Sequence, residues 1–525
     1  MRYFNTTGPC DAELHYMLPA SERLPDARRH ITRGQYFVVH APRQTGKTTT
    51  LIELAHELTI EGNYTALHFS CEPGSTFGDD VGSAERALLG HIREMTRIMG
   101  LPADELPPVP WPAAEPGYAL LSALTAWAER CPKPLVLFFD EIDSLRGESL
   151  ISVLRQLRTG YTTNRRGFVH SIVLCGLRDV RDYKAAAGGD PSRLGSASPF
   201  NIKVDSIRIG DFDRDEVGAL YAQHTADTGQ EFSPRAIDLA YYYTQGQPWL
   251  VNALAAEVVD NMRIGTTITD DHIDRAKERL IVARATHLDS LVAKLDEPRV
   301  KKVIEPLLAG NNLDSALDFN AARSYVADLG LIAPDSPVRI ANPIYNEVIV
   351  RVLGSSIEDN VTDEPARFRL DDGRLDVTEL LTAFTSFWKE NGEFLASGHS
   401  YHEVAPQLVL MAFLHRIVNG GGYIAREYGV GAGRIDLLIR QPYTGPGGVR
   451  AEQRLAFELK RRADKEGDPL VKGLTQLDAY LDRLELDTGV LAIFDCCEKA
   501  APITERTRLS EVTSPAGRLI TLLRA

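Results

Sequence analysis

Ala41-Pro42-Arg43-Gln44-Thr45-Gly46-Lys47-Thr48 is the stretch whose reading decides the fold. The apolar run before it, Tyr36-Phe37-Val38-Val39-His40, reads as a buried strand, and Thr49 to Glu61 carries Leu51, Leu54, Leu58 and Ile60 at a spacing that suits a helix packed on a sheet. Strand, loop and helix are the setting in which backbone N–H groups and a helix N-terminus converge on phosphate oxygens. In that setting Gly46 lets the ligand approach, Lys47 reaches the β- and γ-phosphates of ATP, and Thr48 takes a Mg²⁺. Ala41, Arg43, Gln44, Thr45 and Thr49 complete the cradle. Ala41 stands where the pattern has its first glycine, a position that mainly shapes the turn and is expected to tolerate a small side chain.

Working outward, Thr65-Ala66-Leu67-His68-Phe69-Ser70 reads as the next strand. The proline-rich run Leu106-Pro107-Pro108-Val109-Pro110-Trp111-Pro112 can be neither helix nor central strand and predicts a surface excursion. Pro134-Leu135-Val136-Leu137-Phe138-Phe139-Asp140-Glu141-Ile142-Asp143 has the form of a central parallel strand delivering two carboxylates to the phosphate edge. Asp140 would hold the Mg²⁺ shell, and Glu141 would polarise the attacking water. A further run, Ser171-Ile172-Val173-Leu174-Cys175, ends at Gly176-Leu177-Arg178-Asp179. Residues 1 to 33 read as a lead-in segment beside the nucleotide.

Taken in order, these motifs resemble those of AAA-like P-loop ATPases of the signal-transducing (STAND) class. That resemblance implies that Arg178 touches the γ-phosphate and reports its loss. Gly246-Gln247-Pro248 resembles the G-x-P motif of the class, whose proline, here Pro248, packs on the adenine and links nucleotide state to a helical lid. The expected organisation is an α/β core with a parallel sheet over 1–210, the lid over 211–284 and a winged helix over 285–355. The last is read from an amphipathic segment, Asp318 to Leu329, a hairpin across Pro334-Asp335-Ser336-Pro337, and a closing helix from Ile344 to Val352. Few Lys or Arg lie on Asp318 to Leu329, so a conformational relay is expected there in preference to DNA binding.

An acidic linker and connecting helix (356–394) separate this half from a second chemistry over 395–525. A helix from His402 to Asn419 bears Glu403; Asp436 sits inside the strand-like run Gly433 to Ile439; Glu458 and Lys460 form an E-x-K in Leu455 to Lys460; a later helix carries Gln476. Two acids supply hard oxygen ligands for Mg²⁺, and a lysine two residues on lies on the same strand face, ready to orient water or steady developing charge. The order of these elements resembles the PD-(D/E)xK nuclease fold, which implies Glu403 as its helical acid and Gln476 on its downstream helix; no proline precedes Asp436. Lys460, Arg461, Arg462, Lys465 and Arg434 make one basic cluster beside these acids.

The composition excludes some classes. A net charge of -14 argues against a surface coated in nucleic acid, while leaving room for a local basic groove. The six cysteines contain no C-x-x-C pair and read as reduced core thiols, which fits a cytoplasmic protein. Nowhere are there 18 uninterrupted apolar residues, so membrane insertion is not expected. The expected function is an ATP-binding and hydrolysing switch that controls a Mg²⁺-dependent nuclease acting on nucleic acid, DNA in the first instance, as a single chain or as a homo-oligomer. The alternatives are a nucleotide-dependent switch whose C-terminal fold binds nucleic acid or protein without cutting, and a ring motor using an arginine in trans from among Arg155, Arg158, Arg165, Arg166, Arg181 and Arg193.

Overall fold

The computed structural model describes residues 2–177, 205–283, 293–308, 320–358, 365–398, 405–418, 423–430, 433–445, 448–462, 464, 467–497 and 499–525. Arg178, Arg181, Arg193, Glu403 and Lys465 lie outside the described residues. Chain contacts form two units, Met1–Val282 with Ala327–Gly330, and Ala283–Val326 with Leu331–Ala525.

The first unit is built on a five-stranded sheet of β1 (Phe37–His40), β2 (Thr65–Ser70), β3 (Leu135–Asp140), β4 (Ser171–Gly176) and β5 (Ser206–Arg208), ordered β2-β3-β4-β1-β5. All neighbouring pairs are parallel. Alternate residues feed two separate cores. Leu67, Phe69, Leu135, Leu137, Phe139, Ile172 and Leu174 pack with residues of the helices Val81–Ile98, Ala119–Arg130 and Gly147–Thr163. Phe37, Val39, Ala66, Val136, Phe138 and Val173 pack on the opposite face with Leu51, Leu54, Ala55 and Leu58 of the helix Lys47–Ile60. Strands buried on both faces have no solvent side, which is why they read as unbroken apolar runs. Because β4 lies between β1 and β3, the loop after β1 and the acids at the end of β3 stand two strand spacings apart, about 10 Å, at one edge of the sheet.

The proline-rich run is anchored more firmly than a free excursion. Trp111 donates its indole N–H to the Leu89 carbonyl at 3.2 Å and lies beneath the Arg93 guanidinium at 4.8 Å. It covers the helix Val81–Ile98, an arrangement the prolines permit because the run needs no ladder partners. Beyond the sheet come the helices Arg214–Thr228, Pro234–Thr244, Pro248–Ala256 and Asp270–Val282. Their starts are locally specified: Asp213 and Glu216 form a reciprocal capping box, and Ser233 and Gln247 cap the next two helices with proline as first residue.

In the second unit, Ile332 pairs with Ile340 across the expected turn. The following helix, Pro343–Glu358, runs beyond Val352, aided by the Glu347–Arg351 ion pair at 2.6 Å one turn apart. Helices Val377–Gly398 and Ala405–Val418 lead to a six-stranded sheet of β6 (Tyr423–Val430), β7 (Gly433–Thr444), β8 (Arg450–Arg462), β9 (Val490–Asp495), β10 (Arg508–Thr513) and β11 (Leu519–Arg524), ordered β10-β11-β9-β8-β7-β6. β6, β7 and β8 form an antiparallel meander. β9 returns parallel to β8 through the helix Leu470–Leu484. That helix packs Leu474, Leu477, Leu481 and Leu484 onto Leu438, Ala456, Leu491 and Ile493. On the other side, Trp388 meets Phe494 with ring centroids 5.9 Å apart, so helices sandwich the sheet. No helix among the described residues is long and apolar enough to cross a membrane.

Candidate functional site

The loop from Ala41 to Thr48 turns through two left-handed residues into the helix Lys47–Ile60. Gly46 caps the helix Lys47–Ile60 at φ 82°, and a Cβ there would meet nothing within 4 Å, so backbone conformation rather than space favours glycine. Gln44 is also left-handed, at φ 59°. The Thr45 hydroxyl donates to the Pro42 carbonyl at 2.9 Å, and the Lys47 ammonium donates to the Ala41 and Pro42 carbonyls at 2.9 and 2.6 Å. Burial lowers the Lys47 pKa, against the pull of Asp140, Asp143 and Glu141.

The acids at the end of β3 face this loop. Thr48 donates its hydroxyl proton to Asp140 Oδ2 at 2.7 Å, His68 Nε2 lies 3.0 Å from the same oxygen, and the Glu141 N–H donates to Oδ1 at 2.9 Å. Burial alone would raise the Asp140 pKa; the His68 and Thr48 hydrogen bonds outweigh it and hold the carboxyl below its ordinary value. Glu141 is left-handed at φ 53° and accepts the Ser70 hydroxyl proton at 2.6 Å. Its carboxyl is pushed up, by burial first and then by the charges of Glu72, Asp140 and Asp143, against the Ser70 bond. Thr48 and Asp140 thus bring two hard oxygen donors together beside the loop, a set that fits Mg²⁺.

Side chains from other elements also reach the loop. Gln247 caps the helix Pro248–Ala256 and sends its amide to the Gln44 carbonyl at 3.3 Å. Pro248 itself is buried at the first position of that helix. Arg23 donates to the Thr45 carbonyl at 3.3 Å and the Gly210 carbonyl at 2.7 Å, over the ring of Phe212. The amino-terminal segment touches both neighbours: the Cys10 N–H donates to Thr49 Oγ1 at 2.9 Å, and Trp249 Nε1 donates to the Thr6 carbonyl at 2.8 Å. Among the described residues Arg43 adds no side-chain hydrogen bond to this network.

Gly246 holds the turn before Gln247. Its φ is +77°, and a Cβ would lie 1.7 Å from the Phe212 carbonyl oxygen. Gly246→Ala is expected to lower stability by about 2–4 kcal/mol, read from denaturant midpoints. Gly229→Ala, at the same φ of +77° but with nothing within 4 Å, should lose only about 1 kcal/mol. Equal losses would place the strain in the dihedral rather than in the contact with Phe212.

In the second unit, Asp436 and Glu458 meet where β7 and β8 part. The ladder between them ends at Leu437–Phe457, and the Leu459 N–H donates to Asp436 Oδ2 at 2.7 Å. Lys460 Nζ donates to Glu458 Oε1 at 2.5 Å. Glu458 is 2% exposed, and its carboxyl is pushed up to about 7, by burial first and the Asp436 charge second, with Lys460 opposing. Glu458 Oε2 and Gln476 Oε1 are buried oxygens with no hydrogen-bond partner among the described residues. An acceptor left bare on one of the paired acids, Glu458 Oε2, fits a bound cation, and oxygen donors fit Mg²⁺. Asp436, Glu458 and Lys460 are thus brought together, while no group of three or more His, Cys, Asp or Glu able to hold a metal occurs among the described residues. Arg462 turns to Asp495 at 3.2 Å.

A glycine-containing loop after β1, an acid pair ending β3 and a strand inserted between them give the first unit the topology of a P-loop fold. No family model matches the chain, and no curated protein matches it. Among solved structures, it is similar to the Walker-type ATPase of Pyrococcus abyssi (13% identity, TM-score 0.47, 66% of this chain and 99% of that one). It is also similar to Cdc6p from Pyrobaculum aerophilum (13%, 0.35, 63% and 94%) and to the Thermotoga maritima RuvB Holliday junction branch migration motor (14%, 0.34, 63% and 93%).

Proposed function

We propose that the protein binds and hydrolyses ATP in its first unit and cleaves nucleic-acid phosphodiester bonds in its second, the first activity governing the second. The observation that carries the nucleotide half is the 2.7 Å hydrogen bond from Thr48 to Asp140, which joins the phosphate loop to the acid strand. In this reading Lys47 leaves the Ala41 and Pro42 carbonyls for the β- and γ-phosphates, and the N–H groups at the start of the helix Lys47–Ile60 surround their oxygens. Thr48 and Asp140 would hold Mg²⁺, which neutralises phosphate charge. Glu141, held by Ser70, accepts a hydrogen bond from the attacking water and aligns it. Arg178 is proposed to report the γ-phosphate, and Pro248 to pass nucleotide state to the helical lid and on to the winged-helix region.

For the second unit, support comes from Asp436, Glu458 and Lys460 lying together at one end of the β7–β8 pair, with Glu458 Oε2 left bare. Asp436 and Glu458 would hold Mg²⁺, which clamps the scissile phosphate; Glu403 is proposed as a further ligand. Lys460 orients the nucleophile or steadies the charge that develops on phosphate oxygens.

The test is cleavage of labelled DNA and RNA with Mg²⁺, with and without ATP, beside a phosphate-release assay. Mg²⁺-dependent cutting that changes with ATP supports the proposal. Nucleic-acid binding without cutting would assign the second unit to a binding role. Glu141→Gln should reduce phosphate release at least ~100-fold while leaving ATP binding within about threefold; undiminished hydrolysis would remove Glu141 from the chemistry.

A further inference from the structure

His68, which no motif singles out, occupies a defined place behind the magnesium-binding pair. In the register of β2 with β3, His68 lies opposite Phe138, so His68, Phe138 and Asp140 project from one face, and Phe138 packs there in the core formed with the helix Lys47–Ile60. His68 is 6% exposed and Asp140 1%, so water is a poor substitute for any donor lost at the carboxylate. An ionised carboxylate only accepts, so both bonds to Oδ2 carry protons from the other side: one on His68 Nε2, one on Thr48 Oγ1. With its proton committed to Asp140, Thr48 keeps its lone pairs for a cation.

We propose that His68 is the positioning residue of the nucleotide site: by fixing Asp140 Oδ2 it holds the Thr48 hydroxyl proton and turns the Thr48 lone pairs outward, so that the site prefers Mg·ATP to ATP alone. The inference rests on the nucleotide-binding reading of the first unit and adds to it a residue that touches neither phosphate nor metal. Partners of this kind behind a metal ligand contribute roughly 10–100-fold to metal affinity.

Two substitutions that differ by one methylene separate positioning from mere filling of the space. In His68→Gln the amide nitrogen stands near the place of Nε2 and can still reach Asp140. In His68→Asn it stands near Nδ1 and cannot. Binding of a fluorescent ATP analogue to the full chain is titrated in Mg²⁺ and in EDTA, and the melting temperature without nucleotide is recorded for each variant. Expected is a Mg²⁺-induced gain in affinity for the wild type that falls about 10-fold or more in His68→Asn and stays within about threefold in His68→Gln, with binding in EDTA equal for all three. Equal Mg²⁺ gains in the wild type and His68→Asn overturn the proposal, as do equal losses in both variants. A wild type that binds no analogue in either buffer refutes the nucleotide site itself, an outcome distinct from a failure confined to His68.

Discussion

Lys47→Ala is expected to weaken ATP binding about 100-fold or more without destabilising the empty protein. Among the described residues Lys47 hydrogen-bonds to two backbone carbonyls, and burial lowers its pKa, so its charge is an expense in the absence of phosphate. Phosphate provides the opposite charge that makes this buried ammonium favourable, and truncating one partner of such a pair costs roughly 2–5 kcal/mol. The clean readout is thermal. Ligand at 100 times its Kd stabilises a protein by about 2.7 kcal/mol, so the wild type should melt higher with ATP and the variant should not. Both should melt alike without it. A full ATP-induced shift in the variant would overturn the phosphate-loop reading.

Glu458→Gln is expected to abolish cleavage and yet stabilise the metal-free protein at alkaline pH. On the first count, a neutral amide is a weaker ligand than a carboxylate for a hard cation, and Mg²⁺-dependent cutting should fall at least ~100-fold with ATP binding intact. On the second, the folded carboxyl titrates near 7 where an unfolded one titrates near 4.5, so the folded state binds the extra proton between these values. Wild-type stability therefore falls as pH rises from about 4.5 through 7, by an amount on the order of 1–3 kcal/mol from this group. Glutamine has no such slope and can still accept from Lys460. Urea midpoints in EDTA should coincide near pH 4.5 and favour the variant at pH 8. A variant less stable than the wild type at pH 8 would mean that the carboxylate is better solvated, or better paired with Lys460, than its burial indicates.

β1, β3 and β4 are legible because they are buried on both faces and carry apolar runs, and β2 is legible despite His68 within it; β5, a half-buried three-residue edge strand, carries no such run. In the second unit, β7 and β8 extend beyond the expected runs into Tyr443–Thr444 and Arg450–Glu452, where polar side chains alternate and the turn residues of 445–448 masked the approach. β6, β10 and β11 were not anticipated. β10 is an edge strand with Arg508, Ser510, Glu511 and Thr513 exposed, a pattern that matches a loop as well as a strand. The prolines of 106–112 exclude helix and strand but carry no sign of the anchorage, since only the fold brings Leu89 to Trp111.

By itself the sequence determined two local arrangements: a loop whose lysine and threonine adjoin in the chain, and an E-x-K whose period of two places carboxylate and ammonium on one strand face. Such local relations follow from backbone geometry and need no knowledge of distant residues. The tertiary structure alone decided which strangers serve them. β2 lies beside β3, so His68 and Ser70 hold Asp140 and Glu141; the turn at Gly246 lies beside the loop, so Gln247 reaches Gln44; and the amino-terminal segment brings Arg23 to Thr45. These contacts join residues far apart in the chain, and strand order and burial, which no local spacing encodes, are what make them partners.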